Sequence, residues 1–88
     1  MTNRRVVEFY GMARHKARRA ELEVHAATLG ELLALVVDAC PGLADLCGPD
    51  GAPGPAYLVS MDGEKFVSDP GSELRCERVL ILSADAGG

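Results

Sequence analysis

Thr28-Leu29-Gly30-Glu31-Leu32-Leu33-Ala34-Leu35-Val36-Val37-Asp38-Ala39-Cys40 is the stretch that decides the fold. Its first four residues form a capping box: the Thr28 hydroxyl can accept from the Glu31 N–H while the Glu31 carboxylate reaches back to the Thr28 N–H. Leu29, Leu32, Leu33, Val36, Val37 and Cys40 follow at the spacing of one helical face. Pro41-Gly42 then supplies a stop. The spacing predicts an amphipathic helix over 29–40, with Cys40 buried as the last member of its apolar stripe.

On the N-terminal side two segments alternate with the period of half-buried strands. In residues 4–10 Val7 and Phe9 share one face, and Glu8 and Tyr10 share the other. In residues 21–26 Leu22, Val24 and Ala26 point inward, while the two acids and His25 point to solvent. The two read as hairpin partners. Between them Arg14-His15-Lys16-Ala17-Arg18-Arg19 has no interleaved aromatic side chain and no recognition-helix pattern, so it reads as a solvated basic loop. No second ligand or nucleophile stands near His25, which reads as an exposed histidine.

On the C-terminal side residues 41–55 hold four of the five prolines and four glycines. Leu43, Leu46 and Cys47 interrupt them and read as one apolar turn laid on the core, followed by a connector. It lacks the Lys-Ser/Thr and the following helix that a phosphate-binding loop requires. Residues 57–61 read as a strand, Asp62-Gly63 as a tight turn and 65–67 as a short return strand. The last strand, 78–83, is apolar on both faces, the mark of a strand in the middle of a sheet. One helix covers one face of a sheet. If Val79 and Ile81 pack beneath it with Val7 and Phe9, then Leu80 and Leu82 point with Tyr10 to an uncovered face, which suits a docking partner. The alternative is that residues 43–57 fold over that face.

Composition sets the outer bounds. Eighty-eight residues make one domain, and at this size only about 60% of the unfolded chain's surface is buried, leaving little room for an enclosed active site. No apolar run approaches the ~18 residues of a membrane span, and the N-terminal residues lack a signal-peptide pattern, so a cytoplasmic protein is expected. Cys40, Cys47 and Cys76 stand at spacings that match neither redox nor zinc motifs and read as reduced thiols. Residues 1–20 carry six Lys/Arg against Glu8 (+5), and residues 21–88 carry three against twelve acids (−9), for a net charge of −4. After Ser83 the sequence reads Ala84-Asp85-Ala86-Gly87-Gly88, with no large side chain to pack. The organisation expected is a globular unit over 1–82 and a flexible arm over 83–88.

Taken in order, these pieces resemble the ubiquitin-like sulfur carriers, the family of the small subunit of molybdopterin synthase and the thiamine-pathway sulfur carrier. The resemblance is carried by Val7-Glu8-Phe9-Tyr10-Gly11-Met12-Ala13-Arg14, by Thr28-Leu29-Gly30-Glu31-Leu32, by Met61-Asp62-Gly63-Glu64 and by the Gly87-Gly88 end. It implies an α+β, β-grasp fold: a mixed sheet of four to five strands with one main helix on one face. It implies a carrier rather than an enzyme. An E1-like enzyme would adenylate the Gly88 carboxylate with ATP, and a persulfide donor would replace the adenylate to leave a thiocarboxylate for an acceptor synthase. Gly87 and Ala86 would be recognised in the tail. Tyr10, Phe66, Leu80 and Leu82 would form the face that meets the partner. The chain itself would bind no metal or cofactor, and no nucleic acid or membrane. Many members carry a Pro-Pro-Val-like stretch before the diglycine, where Ser83-Ala84-Asp85-Ala86 stands here. The length is nearer the molybdopterin subunit than the shorter thiamine carrier, and carriers serving cysteine, tRNA or natural-product pathways have similar sizes. Two alternatives stand beside this reading: a modifier joined through Gly88 to a target lysine, and a plain β-grasp binding module.

Overall fold

The structure, a computed structural model, describes residues 3–84. Five strands form one mixed sheet: β1 (Arg4–Phe9), β2 (Glu21–His25), β3 (Tyr57–Met61), β4 (Lys65–Phe66) and β5 (Arg78–Ser83), in the order β2-β1-β5-β3-β4. β1 pairs antiparallel with β2 and parallel with β5, and β5 pairs antiparallel with β3. The strand that is apolar on both faces is thus the central one. Register follows the hydrophobic pattern: Val7 stands opposite Val79 and Phe9 opposite Ile81, and all four are buried beneath the helical layer.

The main helix, α2, runs Leu29–Ala39, and both arms of its capping box are present. Glu31 Oε1 accepts from the Thr28 N–H at 3.3 Å and from the Ala27 N–H at 2.8 Å. The next amides, Leu29 and Gly30, donate to the carbonyls of Ser72 and Pro70. The loop before β5 therefore satisfies donors that a helix start leaves unpaired. A Cβ on Gly30 would stand 3.1 Å from the Pro70 carbonyl oxygen, so glycine allows this close approach. Leu29, Leu32, Leu33, Val36 and the capping Cys40 face the core.

A second helix corrects the reading of the basic segment as a loop: α1 spans Gly11–Ala17. Its buried residues are Ala13 and Ala17, one helical turn apart. Such small side chains make no apolar stripe that periodicity detects, yet they let the helix lie close to its neighbours. A short 3₁₀ turn at Pro41–Leu43 packs beside it, and a Cβ on Gly42 would come within 2.3 Å of the Lys16 carbonyl oxygen. Leu43 and Leu46 belong to the same core cluster as Phe9 and Ile81, so this part of the segment lies on the helical side of the sheet.

Arg5 ties three parts of the chain together. Its guanidinium donates to the carbonyls of Ala26 at 3.0 Å, Cys76 at 2.6 Å and Leu74 at 2.7 Å. The Cys76 thiol is buried there. The turn between β3 and β4 holds Asp62 and Gly63 at φ 56° and 76°, the left-handed pair that a tight hairpin of the primed type uses.

Candidate functional site

The face of the sheet away from the helices is built by strand alternation. Directly opposed residues share a face, so the register defines one cross-strand row of Glu8, Leu80, Ser60 and Phe66 over β1, β5, β3 and β4. Leu82 and Leu58 form the next step of that row. Leu58 is 42% exposed and Phe66 64% exposed, while Leu80 and Leu82 are half-buried. At the edge of the sheet this strip runs into a recess of about 300 Å³ lined by Pro53, Leu58, Phe66 and Val67.

Tyr10 closes the other side of the strip. Its hydroxyl donates to Glu8 Oε1, and the Arg78 guanidinium pairs with Glu8 Oε2. These two donors hold the Glu8 carboxyl below its ordinary pKa, and the same hydrogen bond raises that of the Tyr10 phenol. The strip is therefore apolar at its centre and polar at its margin, as an interface core and rim are. Tyr10, Phe66, Leu80 and Leu82, named from sequence, all lie on or beside this face. Leu58, Glu8 and Arg78 complete it and were not named. Leu58 was legible in principle, because it alternates with Tyr57 and Val59 in a strand whose other face is core.

A second cluster stands where β5 ends. Ser83 is the last residue of β5, and its hydroxyl accepts from the Ala13 N–H at 3.0 Å. The Ala84 N–H donates to the Ala56 carbonyl at 2.7 Å. Ser83 and Ala84, assigned from sequence to the arm, are thus hydrogen-bonded to α1 and to the residue before β3. Beside it lies a recess of about 170 Å³ lined by Met12, Lys16, Ala56, Tyr57 and Ser83. The Tyr57 hydroxyl donates to Asp45 Oδ1 at 2.6 Å, and Lys16 Nζ reaches Tyr57 at 3.1 Å and Asp45 Oδ2 at 3.2 Å. Burial, then the bond to Asp45, raises the Tyr57 pKa; the Tyr57 hydroxyl lowers that of Asp45. Ala86, Gly87 and Gly88 lie outside the described residues.

The three cysteines are free thiols, with Cys40 and Cys76 buried. Burial pushes both thiols above their ordinary pKa, which opposes formation of the reactive thiolate. Among the described residues no group of three or more His, Cys, Asp or Glu is placed to hold a metal ion, and no helix is long and apolar enough to cross a membrane.

No protein-family model matches the sequence, and no curated protein matches it significantly. Solved structures do match in three dimensions. SAMP1 from Haloferax volcanii superposes with a TM-score of 0.78 at 20% identity, over 97% of this chain and 99% of that one. A second crystal structure of small archaeal modifier protein 1 from H. volcanii gives 0.69 at 19% identity, over 90% and 94%. The solution structure of small archaeal modifier protein 1 from Methanosarcina acetivorans gives 0.72 at 16% identity, over 100% and 99%. With this strand order, the central parallel pair and the helical layer on one face, the likeness shows that the chain has the ubiquitin-like β-grasp fold.

Proposed function

We propose that this chain is a sulfur carrier, activated at the Gly88 carboxylate by an E1-like enzyme that docks on the open sheet face. The observation that carries this reading is the coincidence of two features on one strand. β5 supplies Leu80 and Leu82 to the uncovered apolar strip and ends at Ser83, four residues before Gly87 in the sequence. A partner bound to the strip is thereby set beside the tail it would act on, which converts the reaction of the carboxylate into an intramolecular event within the complex.

The chemistry belongs to the partner. A carboxylate is a poor electrophile; its attack on the α-phosphate of ATP expels pyrophosphate and gives an acyl-adenylate with AMP as leaving group. A persulfide sulfur displaces AMP, and thiol reduction of the resulting S–S bond leaves the Gly88 thiocarboxylate. An acceptor synthase of cofactor or metabolite biosynthesis then takes the sulfur. This chain contributes recognition and the carboxylate, and it binds neither ATP nor metal itself.

The test is the intact mass of the protein after incubation with ATP, an activating enzyme from the same organism and a sulfur source. A gain equal to sulfur minus oxygen, lost on deletion of Gly88, is expected. An unchanged mass with every activating enzyme of that organism overturns the reading. A second reading is favoured by the neighbours themselves, whose names describe modifier proteins: the same activated Gly88 forms an amide with a target lysine. Gel shifts of tagged protein in cells that resist thiols and hydroxylamine are its signature.

A further inference from the structure

Most cations of this chain are already engaged. Arg4 faces Glu23 and Glu77, Lys16 faces Asp45, Arg75 faces Glu73 and Arg78 faces Glu8. Arg5 is spent on backbone carbonyls. Arg14, Arg18 and Arg19, like the isolated Lys65 on β4, are exposed and have no carboxylate partner among the described residues. The three arginines are together, lining with Gly11 and His15 an open recess of about 550 Å³ along α1.

The macrodipole of α1 favours basic residues in its last turn, which accounts for the place of Arg14. It does not account for Arg18. This residue ends the helix at φ 61°, a conformation that glycine adopts freely and other side chains adopt at a cost. An arginine stands where the backbone favours glycine, and its side chain adds to an unneutralised group in a chain of net charge −4.

We propose that Arg14, Arg18 and Arg19 form a docking surface for an acidic segment of a partner protein. Guanidinium forks pair two-pronged with carboxylates, and three of them converge on one recess. Charge also argues against nucleic acid as occupant. The recess has no aromatic side chain on which a base stacks, and β2 begins directly beyond it with the exposed Glu21 and Glu23, which would repel an extended phosphate backbone. A short acidic peptide engages the patch without crossing those acids.

The recess adjoins both features of the site. Gly11 on its wall lies against Ser83, with 3.5 Å from the Ser83 hydroxyl oxygen to the position a Cβ would take, and it directly follows Tyr10 in the chain. A partner seated on the sheet face can therefore reach the patch. The patch itself is a binding surface whose test does not involve Gly88.

The experiment is titration of the full chain with fluorescein-labelled hexaglutamate at low salt, followed by amide chemical shifts. Shifts confined to residues 11–20 are expected, with affinity falling about tenfold in Arg14→Ala/Arg19→Ala and weakening with ionic strength. Arg18→Gly separates charge from folding, because it relieves the left-handed strain: the melting temperature should hold or rise while affinity falls. Shifts centred elsewhere, affinity unchanged in these variants, or tighter binding of single-stranded oligouridine than of the peptide would each overturn the proposal.

Discussion

Leu58 and Leu82 stand directly opposite one another across the β3–β5 ladder, on the face of the sheet that neither helix covers. Leu58 is 42% exposed although its neighbours Tyr57 and Val59 are buried at 5% and 1%. An acidic residue at position 58 therefore disturbs the outer face and spares the core. Leu58→Asp should cost about 1 kcal/mol of folding stability, from the lost pair with Leu82 and the poor fit of Asp in a strand, leaving the protein folded, yet abolish most of the adenylation by the proposed activating enzyme. Thermal melts and a pyrophosphate-release assay on the same sample check both halves. A full adenylation rate in the variant would remove the face from the docking model.

The Arg5 clamp predicts that arginine cannot be replaced by lysine. A single ammonium cannot reach the carbonyls of Ala26, Leu74 and Cys76 together. Arg5→Lys should destabilise the fold by about 1.5–3 kcal/mol, the range for hydrogen bonds from a charged donor. A urea unfolding curve with a lower midpoint and unchanged slope is the expected record.

The Tyr57, Asp45 and Lys16 cluster predicts a signed pH dependence. Asp45, held below its ordinary pKa chiefly by the Tyr57 hydroxyl, contributes stability that is present above about pH 4 and is lost as pH falls through its folded-state value. Glu8 acts in the same sense through Tyr10 and Arg78. Tyr57 is raised, first by burial, so its contribution is complete below about pH 10 and declines as pH rises through its folded-state value. Tyr57→Phe should flatten both limbs of the stability profile and lower neutral-pH stability by about 1 kcal/mol. A profile of denaturation midpoints identical in wild type and variant would show that the cluster does not couple protonation to folding.

Gly42 predicts a steric limit. The atom a Cβ would meet at 2.3 Å is the backbone oxygen of Lys16, so no side-chain rotation relieves it. Gly42→Ala should displace α1 from the 3₁₀ turn and cost about 1–3 kcal/mol, as overpacking does. Amide exchange in residues 11–17 should rise in parallel.

What could be read in advance follows from period and reach. The capped helix, the β5 strand and the inward positions of β1 and β2 announced themselves because each repeats an apolar residue at a fixed local spacing. α1 did not, because Ala13 and Ala17 carry its packing without a strong apolar signal. The Arg5 contacts bridge 69 and 71 residues to Leu74 and Cys76. The bonds of Tyr57 to Asp45 and Lys16 bridge 12 and 41 residues. No local pattern encodes such links, so the burial of Cys76 and the second cluster emerged only with the tertiary structure. Tyr10, Leu80 and Leu82 were accessible to sequence because alternation assigns a face, whereas Phe66 came only from the family resemblance.

The bonds from Ala13 to Ser83 and from Ala84 to Ala56 act as a fixed origin for whatever follows. Beyond Ala84 only residues 85–88 remain in the sequence. At about 3.3–3.6 Å per extended residue they span at most about 14 Å. Under the proposed activation at Gly88, a nucleotide that reacts with it must sit within that radius of Ala84 when the partner is seated. An activating enzyme whose nucleotide lies deeper than this below its docking surface would not fit that proposal.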